Sequence, residues 1–102
     1  MKTKTVIKKE LEEDIKIYHS ISLLRDWEEM EDEHGEEIDF LNKYLKSKKS
    51  DFDDNHVLSQ IFAYQWVLDI PIKIPKLMTK DVDKFIKQLA SEFIVDHNII
   101  LM

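Results

Sequence analysis

The stretch Asp54-Asn55-His56-Val57-Leu58-Ser59-Gln60-Ile61-Phe62-Ala63-Tyr64-Gln65-Trp66-Val67-Leu68 decides the fold class. Val57, Leu58, Ile61, Phe62 and Trp66 recur at spacings of three and four, the period of a helix with one buried face. Asp53 or Asp54 can cap its start, because a carboxylate accepts from the free N–H groups of a first turn. Pro71 holds Ile70 extended and bounds the helix downstream.

Outward from this segment the same pattern repeats. Residues 79–97 predict a second helix with the stripe Val82, Phe85, Ile86, Leu89 and Phe93. Thr79 stands at its N-cap, Asp81 and Asp83 lie in the first turn where the helix dipole favours them, and Asn98 closes it. Between the two helices, Ile70-Pro71-Ile72-Lys73-Ile74-Pro75 predicts an extended connector or edge strand, since its prolines forbid a helix interior or a central strand. The apolar run Ile99-Ile100-Leu101-Met102 predicts packed chain. Upstream, Ile38, Leu41 and Leu45 predict a helix over 36–48. Gly35 reads as the left-handed residue ending the helix before it.

Residues 5–34 are ambiguous. Ile7, Leu11, Tyr18 and Ile21 suit one helical face, and Leu23, Trp27, Met30 and His34 suit another, in a different register. Either a long helix breaks near 19–22, or Asp14–Leu23 is a strand, because Ile15, Ile17, Ile21 and Leu23 also alternate. Helices are the favoured reading. The fold expectation is therefore a single all-α domain over 1–102, with four to five helices in a small bundle. The alternative is α+β, with short strands near 14–23, 70–75 and 98–102.

Composition points the same way. One Gly and two Pro among 102 residues cannot supply the turns of a β sandwich, and they exclude a Gly-rich phosphate loop or dinucleotide fingerprint. The absence of Cys rules out disulfides, Cys-ligated zinc, iron–sulfur clusters and a thiol nucleophile. No apolar run approaches the ~18 residues of a membrane span, and the first residues carry no signal-peptide pattern, so the expected location is cytoplasmic.

The net charge of −6 is uneven. Asp26 to Asp39 holds nine carboxylates and no Lys or Arg, and Lys43, Lys46, Lys48 and Lys49 follow at once. That basic cluster is too small, on an acidic protein, for general phosphate binding, so nucleic acid is not the expected partner. Glu31-x-x-His34 and Asp53-x-x-His56 have the spacing that di-iron bundles use, but 21 acidic residues make such pairs common, and capping and surface roles are the preferred reading. Asp51-x-Asp53-x-Asn55 opens like a calcium loop, yet His56 and Phe62 stand where that loop needs Gly and Glu.

Glu10-x-x-Glu13, followed after fifteen residues by Glu29-x-x-Asp32, resembles the carboxylate arrangement of the all-α nucleotide pyrophosphohydrolases, the MazG and dimeric dUTPase group. The resemblance implies an all-α Mg²⁺-dependent enzyme holding its metal on those four side chains. It covers four positions, and the Gly- and Ala-punctuated helix pairs of that group are absent around them.

The leading functional expectation is a non-enzymatic protein-binding module without a cofactor. Its site would be Trp27, Glu28, Glu29, Met30, Glu31, Asp32 and Glu33, an apolar anchor among carboxylates that suits a protein partner with a basic surface. Small inhibitors, immunity proteins and antitoxins, whether host-, phage- or plasmid-encoded, work on this logic. The Mg²⁺-dependent hydrolase is the first alternative, and a structural homo-oligomer the second.

Overall fold

The computed structural model describes residues 3–48 and 54–96, and of Asp54 and residues 93–96 the backbone alone. Four α-helices follow in order: α1 (Lys4–Asp26), α2 (Glu31–Ser47), α3 (Asp54–Val67) and α4 (Val82–Asp96), with a 3₁₀ turn at Thr79–Asp81 before the last. No strand occurs among the described residues, and the fold is a small all-α bundle.

The ambiguous N-terminal region is one helix. α1 runs 23 residues without a break at 19–22 and without a strand at 14–23, capped by Thr3, whose hydroxyl accepts from the Val6 N–H at 3.3 Å. Its two apolar stripes do not share a register because α1 is buried on more than one side. It packs chiefly against α3 and also touches α2, and Lys16 and His19 reach Glu92 and Phe85 of α4. Leu11, Ile17, Ser20 and Leu23 are buried, with Ile15, Tyr18, Ile21 and Leu24 packed beside them. A helix enclosed this way needs no single stripe. Ser20 tolerates full burial because its hydroxyl donates to the Lys16 carbonyl at 2.8 Å.

α1 and α2 form an antiparallel hairpin. Trp27 stacks on His34 at its tip, and Lys48 pairs with Glu13 at 3.2 Å towards its base. Gly35 does not end the preceding helix. α1 stops at Asp26, α2 begins at Glu31, and the irregularity between them lies at His34, whose φ of −125° and ψ of 23° kink the helix. Gly35 sits inside α2 without a left-handed φ, and a β-carbon there would meet nothing within 4 Å.

The core joins Leu41 and Tyr44 of α2, Val57 and Ile61 of α3 and Leu89 of α4 to the buried residues of α1. In α3 the buried line is Val57, Ile61 and Gln65, so Trp66 falls off it and is 74% exposed. That corrects its expected place in the stripe. Thr79 is not a side-chain cap: the 3₁₀ turn closes through the Asp81 N–H donating to the Met78 carbonyl at 2.9 Å, and α4 starts at Val82. Val82, Phe85, Ile86 and Leu89 do face the core. Asp53 and Asn98 as caps, and the expected packing of 99–102, lie outside the described residues, as does the Phe93 side chain.

Candidate docking surfaces

The turn from Trp27 to Met30 joins α1 to α2 by the Met30 N–H donating to the Trp27 carbonyl at 2.9 Å. It brings Glu28, Glu29, Glu31 and Asp32 around one small hollow of about 290 Å³. Glu33 is exposed on the next turn, and Met30 is 44% exposed among them. Among the described residues, none of these five carboxylates has an ion pair or a side-chain hydrogen bond. The α2 dipole favours Glu31, Asp32 and Glu33 in its first turn. Glu28 and Glu29 lie between the C-terminal end of α1, whose dipole opposes them, and the N-terminal end of α2, whose dipole favours them.

Trp27 departs from its expected role. It is 8% exposed, its ring stacked on that of His34 with centroids 4.2 Å apart and planes at 15°. The His34 Nδ1 lies 3.3 Å from Glu37, so the carboxylate orients the imidazole and the imidazole covers the indole. Trp27 therefore shapes the acidic turn from beneath and does not present an anchor. Met30 is the apolar group that remains on the surface. His34 was legible as half of a Glu-x-x-His pair, but its partner is Glu37 instead of Glu31.

The four carboxylates of the pyrophosphohydrolase-like pattern are not brought together. Glu10 accepts from the Tyr64 hydroxyl at 2.9 Å, and Glu13 pairs with Lys48. Glu29 and Asp32 lie past the far end of α1, thirteen residues and more beyond Glu13, or at least ~20 Å along a continuous helix. The pattern needs two facing helices, and here one helix carries the first pair to its opposite end. Among the described residues no three His, Asp or Glu side chains converge as metal ligands. His56 lies 3.3 Å from Gln60, and Asp51 and Asp53 lie outside the described residues. Of the basic cluster, Lys43 and Lys46 are exposed, while Lys48 is half-buried against Glu13 and over the Tyr44 ring.

Two features escaped sequence reasoning. One is a groove of about 490 Å³ between α1 and α4, floored by Ile15, Leu77, Phe85 and Leu89 and edged by Lys16, His19 and Lys84. His19 meets the edge of Phe85 with centroids 5.6 Å apart, and burial pushes its imidazole below the ordinary pKa. The other is an apolar surface at the end of α3. Trp66, Val67, Ile70 and Ile72 wall a shallow hollow with Asp69, and Ile74 and Met78 continue the exposed apolar line. The clustered isoleucines and prolines of residues 70–75 were its only signal.

No family model, curated protein or solved structure matches the chain. No helix among the described residues is long and apolar enough to cross a membrane.

Proposed function

We propose that the chain is a non-enzymatic protein-binding module whose acidic turn receives a partner protein with a basic surface. The observation that carries this reading is the set of five exposed, unpaired carboxylates, Glu28, Glu29, Glu31, Asp32 and Glu33, around exposed Met30. Glu28 and Glu29 lie between the C-terminal end of α1 and the N-terminal end of α2, whose dipoles act on them in opposite senses, so helix dipoles give these two little net stabilisation. Unpaired like charges repel one another, and a basic partner relieves that repulsion while the field speeds encounter. The Trp27–His34 stack fixes the turn, so little ordering accompanies binding. Proteins that handle nucleic acid present such basic surfaces, and covering one would make this module an inhibitor, as immunity proteins and antitoxins are.

The test compares the wild-type chain with a variant carrying Ser at Glu28, Glu29, Glu31 and Asp32. Affinity capture from the native host at low salt is expected to retain a basic protein that moderate salt releases. The variant should associate with that protein on the order of ten- to a hundredfold more slowly, with a smaller change in dissociation rate. Equal association of the two forms at low salt would overturn the reading.

A further inference from the structure

Six of the eight exposed large apolar side chains among the described residues lie on the end of α3 and the connector after it: Trp66, Val67, Ile70, Ile72, Ile74 and Met78. α3 ends in a Schellman motif, in which the Ile70 N–H donates to the Gln65 carbonyl and the Asp69 N–H to the Trp66 carbonyl, both at 3.1 Å. Asp69 is left-handed there, at φ 56°. Further on, the buried Gln65 amide donates to the Lys73 carbonyl and accepts from the Lys73 N–H, both at 3.2 Å. The connector is thus held at its middle by its backbone. Ile72 and Ile74, on either side of that clamp, stay 53% and 57% exposed. Single exposed isoleucines need no explanation, but a fixed group of this kind marks a contact surface.

The charge around this surface is opposite in sign to that of the chain. Ile70 to Lys80 contains Lys73, Lys76 and Lys80 and no carboxylate, and Lys84 and Lys87 follow in α4. All five lysines are exposed, and among the described residues none has an ion pair. Over residues 66–87 they stand against Asp69, Asp81 and Asp83, a local excess of cations in a chain of net charge −6. The acidic turn follows the far end of α1, more than two Debye lengths (~8 Å each at physiological salt) from Glu10, which Tyr64 bonds. Its field is therefore screened from this surface. Trp66 is also the only exposed Phe, Tyr or Trp among the described side chains.

We propose that this surface docks on an anionic phospholipid bilayer, with Trp66, Ile70 and Ile72, which wall one hollow, entering the headgroup boundary. Three features favour lipid over a protein partner. An indole and aliphatic chains are the groups that settle at a bilayer interface, where the indole N–H stays hydrated. Lysine is depleted from protein–protein interfaces, whereas an anionic bilayer attracts it, and its flexible stem lets the charge reach the phosphates while neighbouring isoleucines sink. The hollow is shallow, with no deep pocket for a protein anchor, and a fluid bilayer needs none.

Flotation of the full chain with vesicles tests the proposal. An equal mixture of phosphatidylcholine and phosphatidylserine should retain it at low salt, and phosphatidylcholine alone should not. Retention should fall as ionic strength rises. Glutamine at Lys73, Lys76 and Lys80 together should weaken binding on the order of a hundredfold, at roughly fivefold per lysine. Ile72→Asp should abolish retention while far-UV circular dichroism stays helical, because Ile72 is exposed. Trp27 is buried and Trp66 is 74% exposed, so insertion of Trp66 should move the fluorescence to shorter wavelength. Trp66→Phe should remove that shift. Serine at Glu28, Glu29, Glu31 and Asp32 should leave retention unchanged, so this proposal and the acidic-turn reading stand or fall separately. A wild-type chain that anionic vesicles do not retain at low salt would overturn the proposal. So would retention without a fluorescence shift, which is adsorption by charge alone, or full retention of Ile72→Asp. Binding of a soluble acidic protein that Ile72→Asp blocks, with no retention on vesicles, would give the surface to a protein instead.

Discussion

Asp69 and Gly35 occupy each other's natural places. Asp69 holds the left-handed position that ends α3, which glycine adopts without strain, while the chain's single glycine lies inside α2 with open space where a β-carbon would go. Asp69→Gly and Gly35→Ala are each expected to raise stability by about 0.5–1 kcal/mol. The sites share no contact, so the double variant should show nearly the sum in thermal or urea melts. The two tryptophans are exchanged in the same sense. Periodicity favours Trp66 in the core, and charge context favours Trp27 on the surface. The fold buries Trp27, because His34 four places into the next helix region stacks on it, and exposes Trp66, because Gln65 takes the inward position beside it. Neither choice is visible in spacing or charge along the chain.

At the scale of elements, α1 shows how a helix enclosed on several sides hides its own signature. Its stripe Ile7, Leu11, Tyr18 and Ile21 and the stripe Leu23, Trp27, Met30 and His34 do not share a register, which suggested a break near 19–22 that does not exist. Its contact with α4 is loose and polar: Lys16 meets Glu92 at 2.6 Å, and His19 lies edge-on to Phe85 above the groove. Glu12 and Lys16 face His19 from α1, and Asp81, Lys84 and Glu92 from the opposite wall. Desolvation lowers the His19 pKa below 6.5, so the folded state binds this proton less readily than the unfolded chain. The stability it contributes is complete above pH 6.5 and declines as pH falls towards the folded-state value. Melting temperature should therefore drop between pH 7 and pH 5.5, and His19→Leu should flatten that drop; an unchanged slope would place the titrating group elsewhere. The connector carries the other element-scale prediction. Gln65→Ala leaves both polar groups of Lys73 without their partner, so the Lys73 amide should exchange faster and stability fall by about 1–2 kcal/mol.

At the scale of the whole molecule, two surfaces of different chemistry lie far apart. Tyr64 near the end of α3 bonds Glu10 near the start of α1, while the acidic turn follows the other end of α1, on the order of 25 Å away. Composition and periodicity by themselves determined that the chain is helical, where three of its four helices lie, and that its charge concentrates between Asp26 and Asp39. These are properties of neighbouring residues: scarce breakers, recurrent apolar spacing and runs of like charge act within a few turns. Tertiary structure alone decided that residues 4–26 form one helix, that Glu10 and Glu13 stand apart from Glu29 and Asp32, and which tryptophan is buried. Those outcomes depend on which helix faces are covered by distant segments, and burial is settled by the partners that arrive in space, not by spacing along the chain.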